Sequence, residues 1–210
     1  MSEFRRRLTM PVESDPNAIP AGCVRCEYLE STGTQWIDTE YIPNLSTRTS
    51  VVAQFLIDTT AVMGGYGSSY GEVVAYDVAG VNNGTWFMRA FTTGSTAKWS
   101  YDKNYHTFET DANHSYLSVD GDGEIRPRDT ERVDAAVNIY LFARSTPDSS
   151  AQLHCFARIK CANFFDGDMA VKSFLPILDQ EGVPCMYDIV NKQFHYNKGT
   201  GQFLYKILEQ

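Results

Sequence analysis

The run Asp120-Gly-Asp-Gly-Glu124 sets three acids at alternate positions. On a β-strand that spacing turns all three carboxylates to one face. Two carboxylates about 5–5.5 Å apart are the machinery of a retaining glycoside hydrolase. Three hard oxygen ligands at this spacing would also suit calcium. The same five residues spell a turn as well, since Asp-Gly pairs supply the positive φ that tight hairpins require. Glycines beside the acids leave them mobile, whereas a catalytic carboxylate needs rigid support. The turn is therefore the expected role, with no catalytic residue and no cofactor. Calcium at Asp120, Asp122 and Glu124 stays open as the alternative.

Other chemistry-bearing residues are dispersed. His106, His114, His154 and His195 form neither a His-x-x-x-His pair nor a triad order. The five cysteines, Cys23, Cys26, Cys155, Cys161 and Cys185, are odd in number, which argues against a disulfide framework. Cys23-x-x-Cys26 with Cys155 and Cys161 could ligate zinc. The Cys155 to Cys161 spacing is not a knuckle, so buried structural thiols are expected. Asp38 and Asp188 are expected to hold turns through backbone hydrogen bonds. The aromatic, glycine-rich middle offers a different chemistry. Tyr66, Tyr70, Trp99 and Tyr101 could stack on sugar rings while Asn82 and Asn83 bond hydroxyls, on loops of a rigid scaffold. Tyr76 and Trp86 are expected to point inward instead.

The elements that must position these residues are strands. Thr49–Ile57, Glu72–Val78, Thr85–Phe91, Tyr105–Thr110, Ser115–Val119 and the long run Leu153–Phe165 alternate or are continuously apolar at strand length. Val137–Ala143 is apolar enough for a central, doubly buried strand. Turn signals recur at Asn82-Asn83-Gly84, Asp111-Ala-Asn113, Asp166-Gly-Asp168, Asp179–Gly182 and Asn191-Lys192. With no helical period after residue 20, the reading is a single antiparallel β-sandwich of about a dozen strands over 21–210. Trp36, Phe55, Leu141, Phe174 and Phe203 are its expected core.

Bulk composition agrees. A chain of 210 residues that is 43% hydrophobic, with 12 Phe and 12 Tyr, can fill a two-sheet core. A net charge of −8 with no basic face excludes phosphate-backbone binding, and no apolar run reaches the length of a bilayer span. Residues 1–20 form an arm. Phe4, Arg5, Arg6, Arg7 and Leu8 could lie on a short amphipathic helix, and Pro11, Pro16 and Pro20 mark a linker after it. The start is basic but lacks an apolar core, so a secretory signal is not expected.

Two end motifs carry a resemblance. Cys26-Glu-Tyr-Leu-Glu-Ser-Thr-Gly-Thr-Gln-Trp-Ile-Asp-Thr-Glu-Tyr-Ile-Pro-Asn44 opens the domain. Phe174-Leu-Pro, then Gly182-Val, Met186-Tyr-Asp, Asn191-Lys and Asn197-Lys-Gly-Thr-Gly-Gln-Phe203 close it. Together they resemble the laminin-G-like, concanavalin-A-like jelly-roll modules of phage virion proteins and of phage-derived or surface proteins of gut bacteria. The likeness spans roughly Pro20 to Tyr205. It implies a jelly roll whose first strand, around Trp36, lies beside its last, around Phe203. Taken with the missing catalytic constellation and the missing secretory signal, the likeness points to a non-enzymatic virion or bacterial-surface module, made in the host cytoplasm, that binds a host glycan or a partner protein, or to a purely structural capsid or tail decoration protein. Self-association is open. A glycan-active enzyme using Asp120, Asp122 and Glu124 is the alternative on the same fold, since fold alone does not fix chemistry.

Basic and apolar residues on a proline-broken tether suit docking on another protein. Deleting residues 2–19 is expected to leave the domain's melting temperature unchanged while abolishing its incorporation into an assembly, checked by calorimetry and co-sedimentation.

Overall fold

Thr47–Phe55 alternates buried and half-buried side chains along its whole length, the signature of a strand with one face on a core. The computed structural model describes residues 19–69, 72–91, 99–127 and 137–209, the side chains of 66–69 and 72–75 excepted. The first strands are β1 (Val24–Thr32), β2 (Ile37–Asp38), β3 (Thr47–Phe55), β4 (Ala61–Ser69), β5 (Glu72–Asn82), β6 (Thr85–Trp86) and β7 (Arg89–Ala90). Next come β8 (His106–Asp111), β9 (Tyr116–Val119), β10 (Asp122–Ile125), β11 (Tyr140–Leu141), β12 (Arg144–Ser145) and β13 (Ala151–Gln152). The last are β14 (Phe156–Asp166), β15 (Met169–Leu178), β16 (Pro184–Asp188), β17 (Gln193–His195) and β18 (Leu204–Ile207).

These strands form an all-β sandwich. A 10-stranded sheet runs β10-β9-β8-β3-β14-β1-β15-β16-β17, with β18 joined to β1. An 8-stranded sheet runs β13-β12-β4-β11-β2, with β5 against β4 and the short β6 and β7 against β5. Pairing is antiparallel except where β12 runs parallel to β4. No helix among the described residues is long and apolar enough to cross a membrane. The inner faces share one apolar cluster, in which Phe108 packs edge to face with Phe55 and with Trp86, as Phe164 does with Phe174. One polar thread crosses that core. The Tyr76 hydroxyl, from β5, lies 3.1 Å from the Thr47 carbonyl and 2.7 Å from the Thr110 hydroxyl of the opposite sheet. Its burial holds the phenol protonated, well above its ordinary range.

The jelly-roll sandwich is the expected one, and the expected core holds with one exception. Phe55, Leu141, Phe174 and Phe203 are buried, but Trp36 is only half-buried. Gln35, Ile37 and Thr39 take the inward positions, so Trp36 faces outward and stacks on Tyr140 at 4.3 Å. Val137–Ala143 is continuously buried apart from Asn138, yet only Tyr140 and Leu141 pair as a strand, because Phe142 turns to φ 65. The glycine-rich run after Met63 is not a loop. It is β4, inside the second sheet, where a side chain at Gly64 would meet the Tyr76 carbonyl at 2.3 Å. Glycine serves close strand approach there rather than a turn.

The two chain ends interlock as expected, though in a displaced register. β18 pairs with β1 through Cys26, Tyr28, Leu29 and Glu30. The Trp36 segment meets the residues just before β18 instead. Thr200 N–H donates to the Thr34 carbonyl (3.2 Å) and Lys198 N–H to the Trp36 carbonyl (2.9 Å). Asn197 Oδ1 accepts from Trp36 N–H and from Gly199 N–H, and Thr34 Oγ1 donates to the Thr200 carbonyl. A Cβ at Gly199 would sit 1.9 Å from the Thr34 carbonyl oxygen.

Gly199→Ala must therefore push two backbones apart, at an expected cost of roughly 1–3 kcal/mol as overpacking. Phe174→Ala should cost about 3–5 kcal/mol through a cavity. Denaturant midpoints check both, and a Gly199→Ala variant as stable as the parent would contradict the tight contact.

Candidate functional site

At one corner of the sandwich, two hairpin turns meet the segment 99–105. Asn83 and Gly84, at φ 47 and 77, close the β5–β6 hairpin, in which Asn82 pairs with Thr85. Positive φ at both central residues is the geometry that Asn-Gly favours. Asp120 and Gly121, at φ 51 and 79, close the β9–β10 hairpin in the same way. The segment 99–105 lies between them. Trp86 N–H donates to the Trp99 carbonyl, and Tyr101 N–H to the Gly84 carbonyl. The two residue sets that the sequence marks separately, Asn82, Asn83, Trp99 and Tyr101 on one side and Asp120 and Asp122 on the other, are thus neighbours.

His106, at the start of β8, ties the corner together. Its Nδ1 lies 2.6 Å from Asp120 Oδ2 and its Nε2 lies 2.8 Å from Asp102 Oδ1. Both partners are carboxylates, which only accept, so both ring nitrogens must donate and the bonded ring is an imidazolium. It packs against the Trp86 ring at 5.1 Å. Burial disfavours this cation, but the bonds from Asp102 and Asp120 outweigh it and the pKa of His106 lies above its ordinary value. Hydrogen bonds from His106 and Asn104 hold Asp102 below the usual carboxylate range. Asp120 also accepts from Thr107 N–H at 2.8 Å.

The remaining candidates fall as follows. The Trp99 indole is buried and donates to Asp122 Oδ2 at 3.1 Å. Tyr101 is half-buried, donates to the Phe55 carbonyl and lies edge-on to Trp86. Both rings therefore have their polar ends bonded within the fold. Glu124 pairs with Arg126 at 2.6 Å. Asp120, Asp122 and Glu124 thus turn to three different partners rather than to one centre. Among the described residues, no group of three or more His, Cys, Asp or Glu could hold a metal ion. Tyr70 and the arm residues Phe4, Arg5, Arg6, Arg7 and Leu8 lie outside the described residues, as does the side chain of Tyr66.

The other titratable groups act within the fold. Asp188 is fully buried and accepts from the N–H groups of Ser173 and Val190 and from Asn191. Asp38 accepts from Glu40 N–H and from Asn138. All five cysteines are free. Burial pushes the thiols up, Cys26 to about 11 and Cys185 to about 12, which keeps them protonated. The residue that sequence reading undervalued is His106. Its signal was its place four residues after Asp102 and fourteen before Asp120, which becomes meaningful only once the β8–β9 hairpin folds the chain back.

The histidine's folded pKa exceeds its unfolded value of about 6.5. Its contribution to stability is therefore fully present below about pH 6.5 and is lost as pH rises through the folded pKa. His106→Gln should lower the melting temperature more at pH 5.5 than at pH 9. A deficit independent of pH would show that the ring is not held as a cation. Neither a protein-family model nor a curated protein matches this chain, so the corner is read from its own geometry.

Proposed function

We propose that this chain is a non-enzymatic module of a phage virion or a bacterial surface, which contacts a polar ligand through the corner around His106. The observation that supports this reading is the bonding of the acids. A hydrolase needs two carboxylates turned to one scissile bond. Here Asp120 bonds His106 and Thr107, Asp122 bonds Trp99, and Glu124 bonds Arg126. Acids used in this way make a rigid surface rather than a reactive one. The half-exposed carboxylates of Asp102 and Asp120 still offer lone pairs to solvent, beside exposed Asn83, Lys103 and Asn104. That donor and acceptor set matches the hydroxyls of a host glycan, with a polar face of a partner protein as the second ligand class. The arm of residues 1–20 would join the module to its assembly, and purified particles would contain the chain.

A glycan array is the direct test. Binding of at least one glycan class is expected, with Asp102→Ala reducing it at unchanged circular dichroism. Incubation with the bound glycan should yield no shortened product. Hydrolysis that disappears in Asp122→Ala would overturn the non-enzymatic reading.

A further inference from the structure

Strand β18 is exposed on both faces, which is unusual for a strand in a sandwich. Leu204, Tyr205, Ile207 and Leu208 are 53%, 44%, 49% and 47% accessible. Alternation places Leu204 and Leu208 on one face and Tyr205 and Ile207 on the other, so neither face is packed on the core. β18 pairs with β1 alone. Leu208 N–H donates inward to the Arg25 carbonyl at 3.0 Å. The N–H and C=O of Tyr205 and Ile207 therefore point outward, away from β1. Among the described residues nothing bonds to that outer edge.

An open edge is normally guarded by a charge. The one charged residue within β18, Lys206, is instead drawn back to Glu27 of β1 at 2.8 Å. Within β18 the edge is left apolar, and Glu209, the next charge, lies beyond the strand's end. Whatever covers it must meet outward N–H and C=O groups and bury apolar side chains on both faces at once. A docked helix covers one face and leaves the edge open, whereas an added strand does both.

We propose that the added strand is β18 of a second copy, paired antiparallel across a two-fold axis and joining two 10-stranded sheets into one. The strand matches itself. With Ile207 opposite its twin, the outward groups of both copies meet, since residues that point outward must face each other. Lys206 then lies opposite Leu208 of the second copy, and Tyr205 opposite Glu209, so no like charges are directly paired. Each Lys206 stays neutralised by the Glu27 of its own copy. The inference is independent of the ligand reading at the His106 corner, which lies elsewhere on the fold.

Light scattering coupled to size exclusion on the full chain, across a concentration series, tests this directly. The parent should have the mass of two chains. Ile207→Lys sets like charges at the two-fold axis, and Tyr205→Pro removes an outward N–H that no intramolecular bond uses. Both should have the mass of one chain, with the parent's circular dichroism and melting temperature. A monomeric parent at every concentration would overturn the proposal, as would dimers that persist in both variants.

Discussion

The carbonyl oxygen of Thr34 occupies the space that a side chain at position 199 would need. The rest of the molecule is arranged around that contact. The Ser31–Gln35 turn is braced from within, Gln35 Oε1 accepting from Thr32 N–H and Ser31 Oγ from Gly33 N–H. The Asn197–Gly201 turn is braced likewise by Asn197, which bonds Gly199 N–H and the Gly201 carbonyl. Two rigid turns can approach to backbone contact because one of them carries no side chain at the meeting point. Their meeting delivers β18 to β1, puts Phe203 against Phe142 in the core, and leaves Trp36 outside on Tyr140. A sandwich whose first and last segments are joined in this way has its termini closed by long-range contacts, the kind that cost most chain entropy to form.

Much of this was legible in the residues, and the limits have physical causes. Alternation marked β3 because it has one face on the core and one half-buried outside it, whereas β8 and β9, buried on both faces over most of their length, were readable through the turn between them. The Asn83-Gly84 and Asp120-Gly121 turns were readable because positive φ restricts residue choice. The second sheet was less legible. Its strands β2, β6, β7, β11, β12 and β13 are two residues long, too short to show a period. Glycines in β4 imitate a loop, although they are there because neighbouring backbones come close. Trp36 was misplaced by one position, since its size suggested the core while Ile37 carries the inward phase. The candidate site was half legible. Its acids and aromatics stood out, but the bond that unites them runs through a lone histidine whose partners converge only in three dimensions.

That histidine also explains how an acidic corner tolerates its own charge. Asp102 and Asp120 would repel across a short gap, and an imidazolium between them converts repulsion into two charge-assisted bonds. A different balance holds on the second sheet, where fully buried Asp77 takes two bonds from Arg144 and lies 3.8 Å from Arg89. Burial raises the Asp77 carboxyl and the guanidiniums draw it back. Removing one partner from such a group leaves an uncompensated buried charge. In both places the carboxylates are committed to structure.

The central claim is that the Thr34 and Gly199 turns are locked together as part of the cooperative fold. Native-state hydrogen exchange of the Trp36, Lys198 and Thr200 amides tests it most directly. If the claim holds, these three exchange only through global unfolding, with the same free energy as core amides of β3 such as Val51, despite the solvent exposure of Lys198 and Thr200. Exchange by local opening, orders of magnitude faster than Val51, would show that the chain ends fray independently and that the interlock does not hold the sandwich closed.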